Sequence, residues 1–285
     1  MTVREIERVL QSYDVEDPKT ESRIIVEWLF NVSYAEQMAN MEKSYQSAEL
    51  ENVLEKRKQR VPLQYIMGEW EFMGREFYVS PACLIPRADT EIIVEKAIEI
   101  AKKCQGVCDF AKNESYEAAD LCTGSGCIGL SLLMHGGLER VSLMDISLPA
   151  LEMAKRNADR HGLSDRCEFI LGDVCTDMPK KRFNLIVSNP PYIPTRDIEG
   201  LSEEVKKEPA LALDGGADGL DIIRFLIGDG LGYLKESGAM VIEFGYDQGE
   251  AMDRLLREKT DTGSIKSYEL LYDYGGNVRG CVIFK

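Results

Sequence analysis

An open, largely parallel α/β sheet of seven strands, closed by an antiparallel hairpin and preceded by a small all-α unit, is the fold this sequence predicts. Three observations carry that expectation. From Glu117 onward, short apolar runs alternate with amphipathic segments, which implies right-handed crossovers and helices on both faces of the sheet. The last two runs are joined only by Asp273-Tyr274-Gly275-Gly276-Asn277-Val278, too short for a crossover and suited to a hairpin. Residues 1–75, in contrast, show helical periodicity and little that reads as strand.

In the helical part, Val3, Ile6, Val9 and Leu10 form one apolar stripe, and Asp14-Val15-Glu16-Asp17-Pro18 forms a turn. Asp17 or Thr20 can cap a second helix carrying Ile24, Ile25, Trp28 and Leu29. Leu50, Val53 and Leu54 mark a further helix before Pro62. A unit of this size serves as a lid, a docking surface or a dimerisation module. The expected strands are 118–122, 141–145, 167–171, 183–188, 239–244, 267–272 and 280–284. The chain thus divides into residues 1–75, a hairpin or linker at 76–90, and the sheet domain at 91–285. In such sheets ligands bind at the carboxyl ends of the strands, where strand order reverses.

The formal charge is −15, with 49 acidic against 34 basic residues. That balance argues against a phosphate-backbone ligand, although it does not exclude one, and it suits a basic protein partner. The strongest basic run, Glu55-Lys56-Arg57-Lys58-Gln59-Arg60, reads as a solvated helix face. No stretch approaches the ~20 apolar residues of a membrane span, and the N-terminus has no signal-peptide core. Cys122, Cys127 and Cys281 sit in apolar runs, where cysteine behaves as a small hydrophobe in a reducing compartment. Cys104 and Cys108 have no second pair, and only His135 and His161 are available, so no metal is expected.

Two segments carry chemistry. The first, Asp120-Leu121-Cys122-Thr123-Gly124-Ser125-Gly126-Cys127-Ile128-Gly129, follows the first strand and opens a helix, with Gly124 and Gly126 letting the backbone approach a ligand. Alone it also fits a dinucleotide fingerprint or a plain glycine turn. Asp120 at the strand end would repel a pyrophosphate but suits ammonium and sulfonium groups. Asp145 ends the next strand and suits two ribose hydroxyls, which nicotinamide and adenosylmethionine cofactors share. Asp173 ends the third strand, as an acceptor for an adenine amino group or as a helix cap.

The second segment, Asn189-Pro190-Pro191-Tyr192, ends the fourth strand at the same sheet edge. The two prolines lack donors and hold an extended course, so the segment is either a rigid turn or a fixed pair of acceptors. As acceptors, the Asn189 oxygen and the Pro190 carbonyl would take both protons of a substrate NH₂, with Tyr192 as an aromatic wall. An amide nitrogen is a poor nucleophile because its lone pair is delocalised. Methyl transfer acidifies its protons, so both bonds strengthen in the transition state.

With these motifs in place, the chain resembles the protein-(glutamine-N5) methyltransferases, most closely the release factor type. Pro62-Leu63-Gln64-Tyr65-Ile66-Met67-Gly68 is similar to that family's domain junction, and Leu84-Ile85-Pro86-Arg87-Ala88-Asp89-Thr90-Glu91 to its IPRPDTE segment. Glu208-Pro209-Ala210-Leu211-Ala212-Leu213, Gly215, Asp218-Gly219-Leu220, Glu243 through Gly249, and Asp273 through Arg279 follow in the family's order. The sequence departs at Cys122, where the family has glycine, and at Ala88, where it has proline. The resemblance implies a Rossmann-like class I S-adenosylmethionine-dependent methyltransferase sheet. It implies that Thr123, Gly124, Ser125, Gly126, Asp145, Asp173 and Asn189 hold S-adenosylmethionine, released as S-adenosylhomocysteine. Asn189, Pro190, Pro191 and Tyr192 would hold the glutamine, with Asn189, Pro190 and Tyr192 acting in catalysis. The implied partners are class-one peptide chain release factors, docked by the helical domain in the cytoplasm without membrane or direct nucleic-acid contact. A ribosomal-protein glutamine is the alternative substrate. The adenine-N6 nucleic-acid methyltransferases share the tetrapeptide chemistry, but the acidic charge and lack of a basic module count against that reading.

Overall fold

The computed structural model describes residues 1–107 and 116–285. Cys108 and the side chain of Cys104 lie outside the described residues. The chain forms two compact units, one of Met1–Gly68 with Ser202–Lys207 and one of Glu69–Leu201 with Glu208–Lys285.

The first unit holds five helices: α1 (Val3–Ser12), α2 (Pro18–Phe30), α3 (Tyr34–Ala39), α4 (Ala48–Lys58) and α5 (Leu63–Met67). Their starts follow from side chains that accept orphan amide protons. Thr2 and Ser33 form capping boxes with Glu5 and Glu36, Asp17 accepts from the Thr20 amide ahead of Pro18, and Ser47 caps α4. Ile6, Leu10, Ile25, Val26, Leu50, Val53 and Leu63 fill the core. Trp28 departs from its expected apolar stripe and is 36% exposed. The basic run is not simply a solvated face either. Arg57 is 1% exposed and pairs with Glu21 at 2.8 Å and with Glu204 at 3.2 Å. Glu204 comes from the Ser202–Lys207 segment and also takes Arg60. A guanidinium can serve several acceptors at once, so one arginine joins elements distant in sequence.

The second unit opens with the hairpin β1 (Glu69–Phe72) and β2 (Arg75–Tyr78), followed by α6 (Ala88–Val107). The sheet follows as β3 (Glu117–Leu121), α7 (Cys127–His135), β4 (Arg140–Asp145), α8 (Leu148–Arg160), β5 (Cys167–Leu171) and β6 (Phe183–Ser188). It is completed by α9 (Asp221–Leu226), β7 (Leu234–Glu243), α10 (Gly249–Asp261), β8 (Ser267–Tyr272) and β9 (Val278–Phe284). The strand order is β5-β4-β3-β6-β7-β9-β8, with β9 antiparallel to both neighbours. This is the expected seven-stranded sheet with its terminal hairpin. β7 starts at Leu234, earlier than expected, and β3 ends at Leu121 because Cys122 turns into the left-handed region.

Alternate residues of each strand face opposite layers. Ala118, Leu143, Leu185, Val187, Val241 and Val282 pack with α6, α7 and α8 through Ile93, Ala97, Leu130 and Ala154. Ala119, Met144, Ile186, Met240 and Ile242 pack with α9 and α10 through Ile223, Leu226, Met252 and Leu256. After β5 the chain crosses to the other side of β3, so order reverses between β3 and β6. That reversal opens a crevice above their carboxyl ends.

Candidate active site

A cavity of about 300 Å³ occupies this crevice, entirely within the second unit. Its floor is the β3 loop from Cys122 to Ser125, its sides are Asp145 to Ser147, Gly172 to Cys175 and Asn189, and two further segments, 82–87 and 209–214, supply wall residues.

The loop is held by acids. Thr123 Oγ1 and the Gly129 amide both donate to one oxygen of Asp120, at 2.6 and 2.9 Å. The Gly124 amide donates to Asp145 Oδ2 at 2.8 Å, and the Ser147 amide to Oδ1 at 2.9 Å. Gly126 has φ +80°, and a Cβ there would lie 3.0 Å from Ala154 Cβ, so both its conformation and its closeness to α8 require glycine. Cys122, at φ 61°, adopts a conformation that a glycine would hold without strain. Its side chain packs against the second core layer and also lines the cavity. Burial pushes its thiol well above the usual cysteine range.

Asp120 does not have the ligand-facing role its position suggested. It is fully buried, does not line the cavity, and works behind the loop. Burial, aided by the nearby Asp145 charge, raises its carboxyl pKa to about 7, against the bonds from Thr123 and Gly129. Among the described residues its Oδ1 has no hydrogen-bond partner. Asp145 does reach the cavity, and burial raises its pKa against the Ser147 and Gly124 amides. A carboxylate has about four lone-pair sites, so each of its oxygens can still accept from a ligand. Asp173 lies on the wall, its Oδ1 accepting from the Cys175 amide at 2.8 Å in a turn. No helix follows it, so it is not a helix cap.

The tetrapeptide leaves β6 beside this loop. Asn189 and Pro191 line the cavity, whereas Pro190 and Tyr192 do not. The Asn189 amide nitrogen donates to Thr90 Oγ1 at 3.3 Å, which leaves its oxygen as the acceptor on the cavity side. The Tyr192 hydroxyl instead donates to the buried Glu243 at 3.4 Å, and burial raises the phenol's pKa. Gln248 secures the following backbone, donating to the Tyr192 carbonyl at 2.9 Å and to that of Gly219 at 3.3 Å. Gly219 has φ +79°, and a Cβ there would lie 2.2 Å from the Tyr192 carbonyl oxygen, so no side chain fits.

Three residues at or behind the wall carried no assigned role in the sequence. Glu208, buried, accepts from the Ile85 amide at 3.0 Å and pairs with Arg87, tying the 82–87 segment to 208–214. Thr90 and Glu243 stood only within longer motifs. The signal that could have marked Glu243 is a lone acid closing an apolar run, Ala239-Met240-Val241-Ile242, whereas Thr90, between Asp89 and Glu91, carried none.

Acceptors at Asp145 and Asp173, apolar walls from Ile146, Val174 and Ile222, and a tight backbone floor fit a ligand with hydroxyl and amino donors and a flat apolar body. Among the described residues no group of three or more His, Cys, Asp or Glu side chains is placed to hold a metal ion. None of the described helices is long and apolar enough to cross a membrane.

Comparison with known proteins identifies relatives of this chain. The family model for the methyltransferase small domain matches residues 107–216, and that for the PrmC N-terminal domain matches residues 2–68. A release factor glutamine methyltransferase of Moorella thermoacetica is 38% identical over 286 residues, covering 98% of this chain and 97% of that protein. One from Geobacter sulfurreducens is 37% identical over 88% of this chain and 87% of its own length. Among solved structures, the N-terminal domain of human METTL16 in complex with SAH matches with a TM-score of 0.50 and 17% identity. It covers 73% of this chain and 75% of that one, a likeness of fold alone.

Proposed function

Because the chain belongs to the release factor glutamine methyltransferase family, we propose that it methylates the side-chain nitrogen of the glutamine in the Gly-Gly-Gln loop of class-one release factors. The observation that carries this reading is the Asn189 amide, whose nitrogen is committed to Thr90 while its oxygen is left for a substrate donor at the cavity. S-adenosylmethionine, when bound, supplies an electrophilic methyl group and leaves as S-adenosylhomocysteine. Asp145 would accept from its ribose hydroxyls and Asp173 from its adenine amino group, and the backbone of Thr123, Gly124 and Ser125, with Gly126 shaping the turn behind them, would enclose its amino-acid end. Asn189 stands where the cofactor and substrate regions meet.

The Asn189 oxygen and the carbonyl of Pro190, which is itself not a lining residue, would accept the two glutamine N–H protons and orient the nitrogen toward the methyl group. Pro191 holds the chain extended, so neither acceptor can turn away. As the new N–C bond formed and the methyl–sulfur bond broke, the N–H groups would become stronger donors, the two acceptors would stabilise the transition state more than the ground state, and one of these protons would then pass to solvent to leave the neutral N-methyl amide. Tyr192 anchors the end of the tetrapeptide through Glu243. The first unit docks the release factor; exposed Trp28, Tyr34, Met38 and Met41 on and beside α2 and α3 supply apolar contact area. The net charge of −15 supports a protein substrate rather than a nucleic acid, and release factor chemistry belongs in the cytoplasm.

The test is incubation with labelled S-adenosylmethionine and a purified release factor, beside the same factor with its loop glutamine changed to alanine. Label on the intact factor alone, located by peptide mass on that glutamine, is the expected result. Label on neither factor, with S-adenosylmethionine still bound, would overturn the substrate and send the search to ribosomal proteins.

A further inference from the structure

Charge is unevenly shared around the cavity. Asp145, Asp173 and Asp214 line it, whereas Arg87 is the one lysine, arginine or histidine among its described lining residues. Carboxylates so placed repel any negative group that enters. S-adenosylmethionine carries such a group, the carboxylate of its amino-acid end, and a carboxylate taken out of water needs a cation or several N–H donors in place of its hydration. The glycine loop has few donors left for it. The amides of Thr123, Gly124 and Gly126 already donate to the Met144 carbonyl, to Asp145 and to the Thr123 carbonyl, at 3.0, 2.8 and 2.8 Å.

Arg87 is placed to meet that need. It belongs to the wall segment 82–87, and a Cβ on Gly124 would lie 4.0 Å from Cys83 Cβ in the same segment, so this wall stands against the glycine loop. Further along the chain, Thr90 takes the Asn189 amide. Arg87 thus falls between the loop that would enclose the amino-acid end and the residue that would receive the substrate. Its guanidinium donates to Glu208, yet the side chain is still 37% exposed, so this pairing does not seal it away. Glu208 is buried and divides its oxygens, Oε1 for Arg87 and Oε2 for the Ile85 amide at 3.0 Å. A guanidinium presents its N–H donors in a fixed fork, so one edge can be held by Glu208 while another meets a second carboxylate.

We propose that Arg87 is the cation that receives the carboxylate of S-adenosylmethionine and so selects the intact amino-acid end of the cofactor, with Glu208 as the positioning residue that holds the guanidinium at the wall. The proposal rests on the reading of this cavity as the S-adenosylmethionine site. It makes specificity a difference of charge. With Arg87 in place, a ligand carrying the carboxylate gains a charge-assisted pair. Without it, the lining keeps only its acids, and a ligand that lacks the carboxylate is the better match. Decarboxylated S-adenosylmethionine is the probe that isolates this effect, because it keeps the adenine, ribose, sulfonium and amine and lacks the carboxylate alone.

The experiment titrates the full chain with S-adenosylmethionine and with its decarboxylated form by calorimetry, without a protein substrate, so that binding alone is read. The unaltered protein should bind S-adenosylmethionine about 10- to 100-fold more tightly, the size of a hydrogen-bonded charge pair. Arg87→Met, which keeps the apolar stem, should bring the two ligands within about 3-fold by weakening S-adenosylmethionine and leaving the decarboxylated form within about 2-fold. Arg87→Lys should keep part of the preference, because it restores the charge without the fork. Glu208→Gln, which still accepts from the Ile85 amide, should lower the preference by less than Arg87→Met does. If Arg87→Met does not fold because Glu208 is left buried and unpaired, the double variant that adds Glu208→Gln removes that charge and should show the same lost preference. A preference that survives without Arg87, an equal loss for both ligands, or an unaltered protein that binds both alike would overturn the proposal and leave the cofactor reading intact. An unaltered protein that binds neither ligand would overturn the cofactor reading and this proposal with it.

Discussion

Replacing Asp120 by asparagine separates the electrostatic part of the loop's architecture from its shape. The side chain is fully buried, with one oxygen bonded to Thr123 and Gly129 and the other without a partner among the described residues. Its pKa is raised from 3.8 to about 7. A folded-state pKa above the unfolded one means that the native protein binds the proton more tightly. Stability from this group is therefore full below about pH 4, falls as pH rises toward 7, and stays flat above. Each pKa unit corresponds to about 1.4 kcal/mol, so about three units give an upper bound of about 4 kcal/mol. Relaxation of the surroundings reduces this, and about 2 to 4 kcal/mol is the expected range. Asparagine keeps an oxygen for Thr123 and Gly129 but places an NH₂ where Oδ1 lacked a partner, which costs about 1 to 3 kcal/mol at every pH. The variant should be the less stable protein at about pH 5 and gain about 1 to 2.5 kcal/mol on the unaltered protein by about pH 8, because only about two of the three units lie above pH 5. Urea unfolding of both at several pH values measures that difference. A difference independent of pH would refute the burial argument, because it would show that Asp120 does not titrate in this window.

The remaining expectations concern the cavity itself. Asn189→Ala should lower kcat about 10²- to 10³-fold, the effect of removing one preorganised transition-state partner, with S-adenosylmethionine affinity nearly unchanged in calorimetry. Asp145→Ala should act the other way, weakening cofactor binding about 10- to 100-fold through loss of hydrogen bonds to a charged acceptor, before any effect on kcat at saturation. Cys122 tests the backbone. At φ 61°, Cys122→Gly should be within about 1 kcal/mol of neutral, because relief of strain offsets the added freedom of the unfolded chain. Cys122→Val should destabilise by about 2 kcal/mol or more in thermal unfolding, since a β-branched residue is poorly tolerated there.

Much of this molecule was legible from local chemistry. The strands of the sheet, the glycine loop between Cys122 and Gly126, and the position of Asn189 after β6 follow from apolar periodicity and from proline and glycine at strand ends. These signals act over a few residues, so they survive without knowledge of what lies across the fold. A hairpin or linker was expected at 76–90, whereas the β1–β2 hairpin spans Glu69–Phe72 and Arg75–Tyr78, within the part that read as helical. Its turn places both Met73 and Gly74 at positive φ, and methionine is not a residue that announces such a turn.

Tertiary structure decided the direction in which charged and polar side chains point. Sequence placed Asp120 and Asp145 alike at strand ends, yet one turns behind the loop and the other reaches the cavity. Arg57 sits in a run of charges that reads as solvated, and Glu21 and Glu204 bury it. Thr90 meets Asn189 across 99 positions of chain, and Tyr192 meets Glu243 across 51. The reason is physical. Backbone conformation and apolar patterning are governed by near neighbours, whereas the cost of burying a polar group depends on partners that only the assembled fold brings within hydrogen-bond reach.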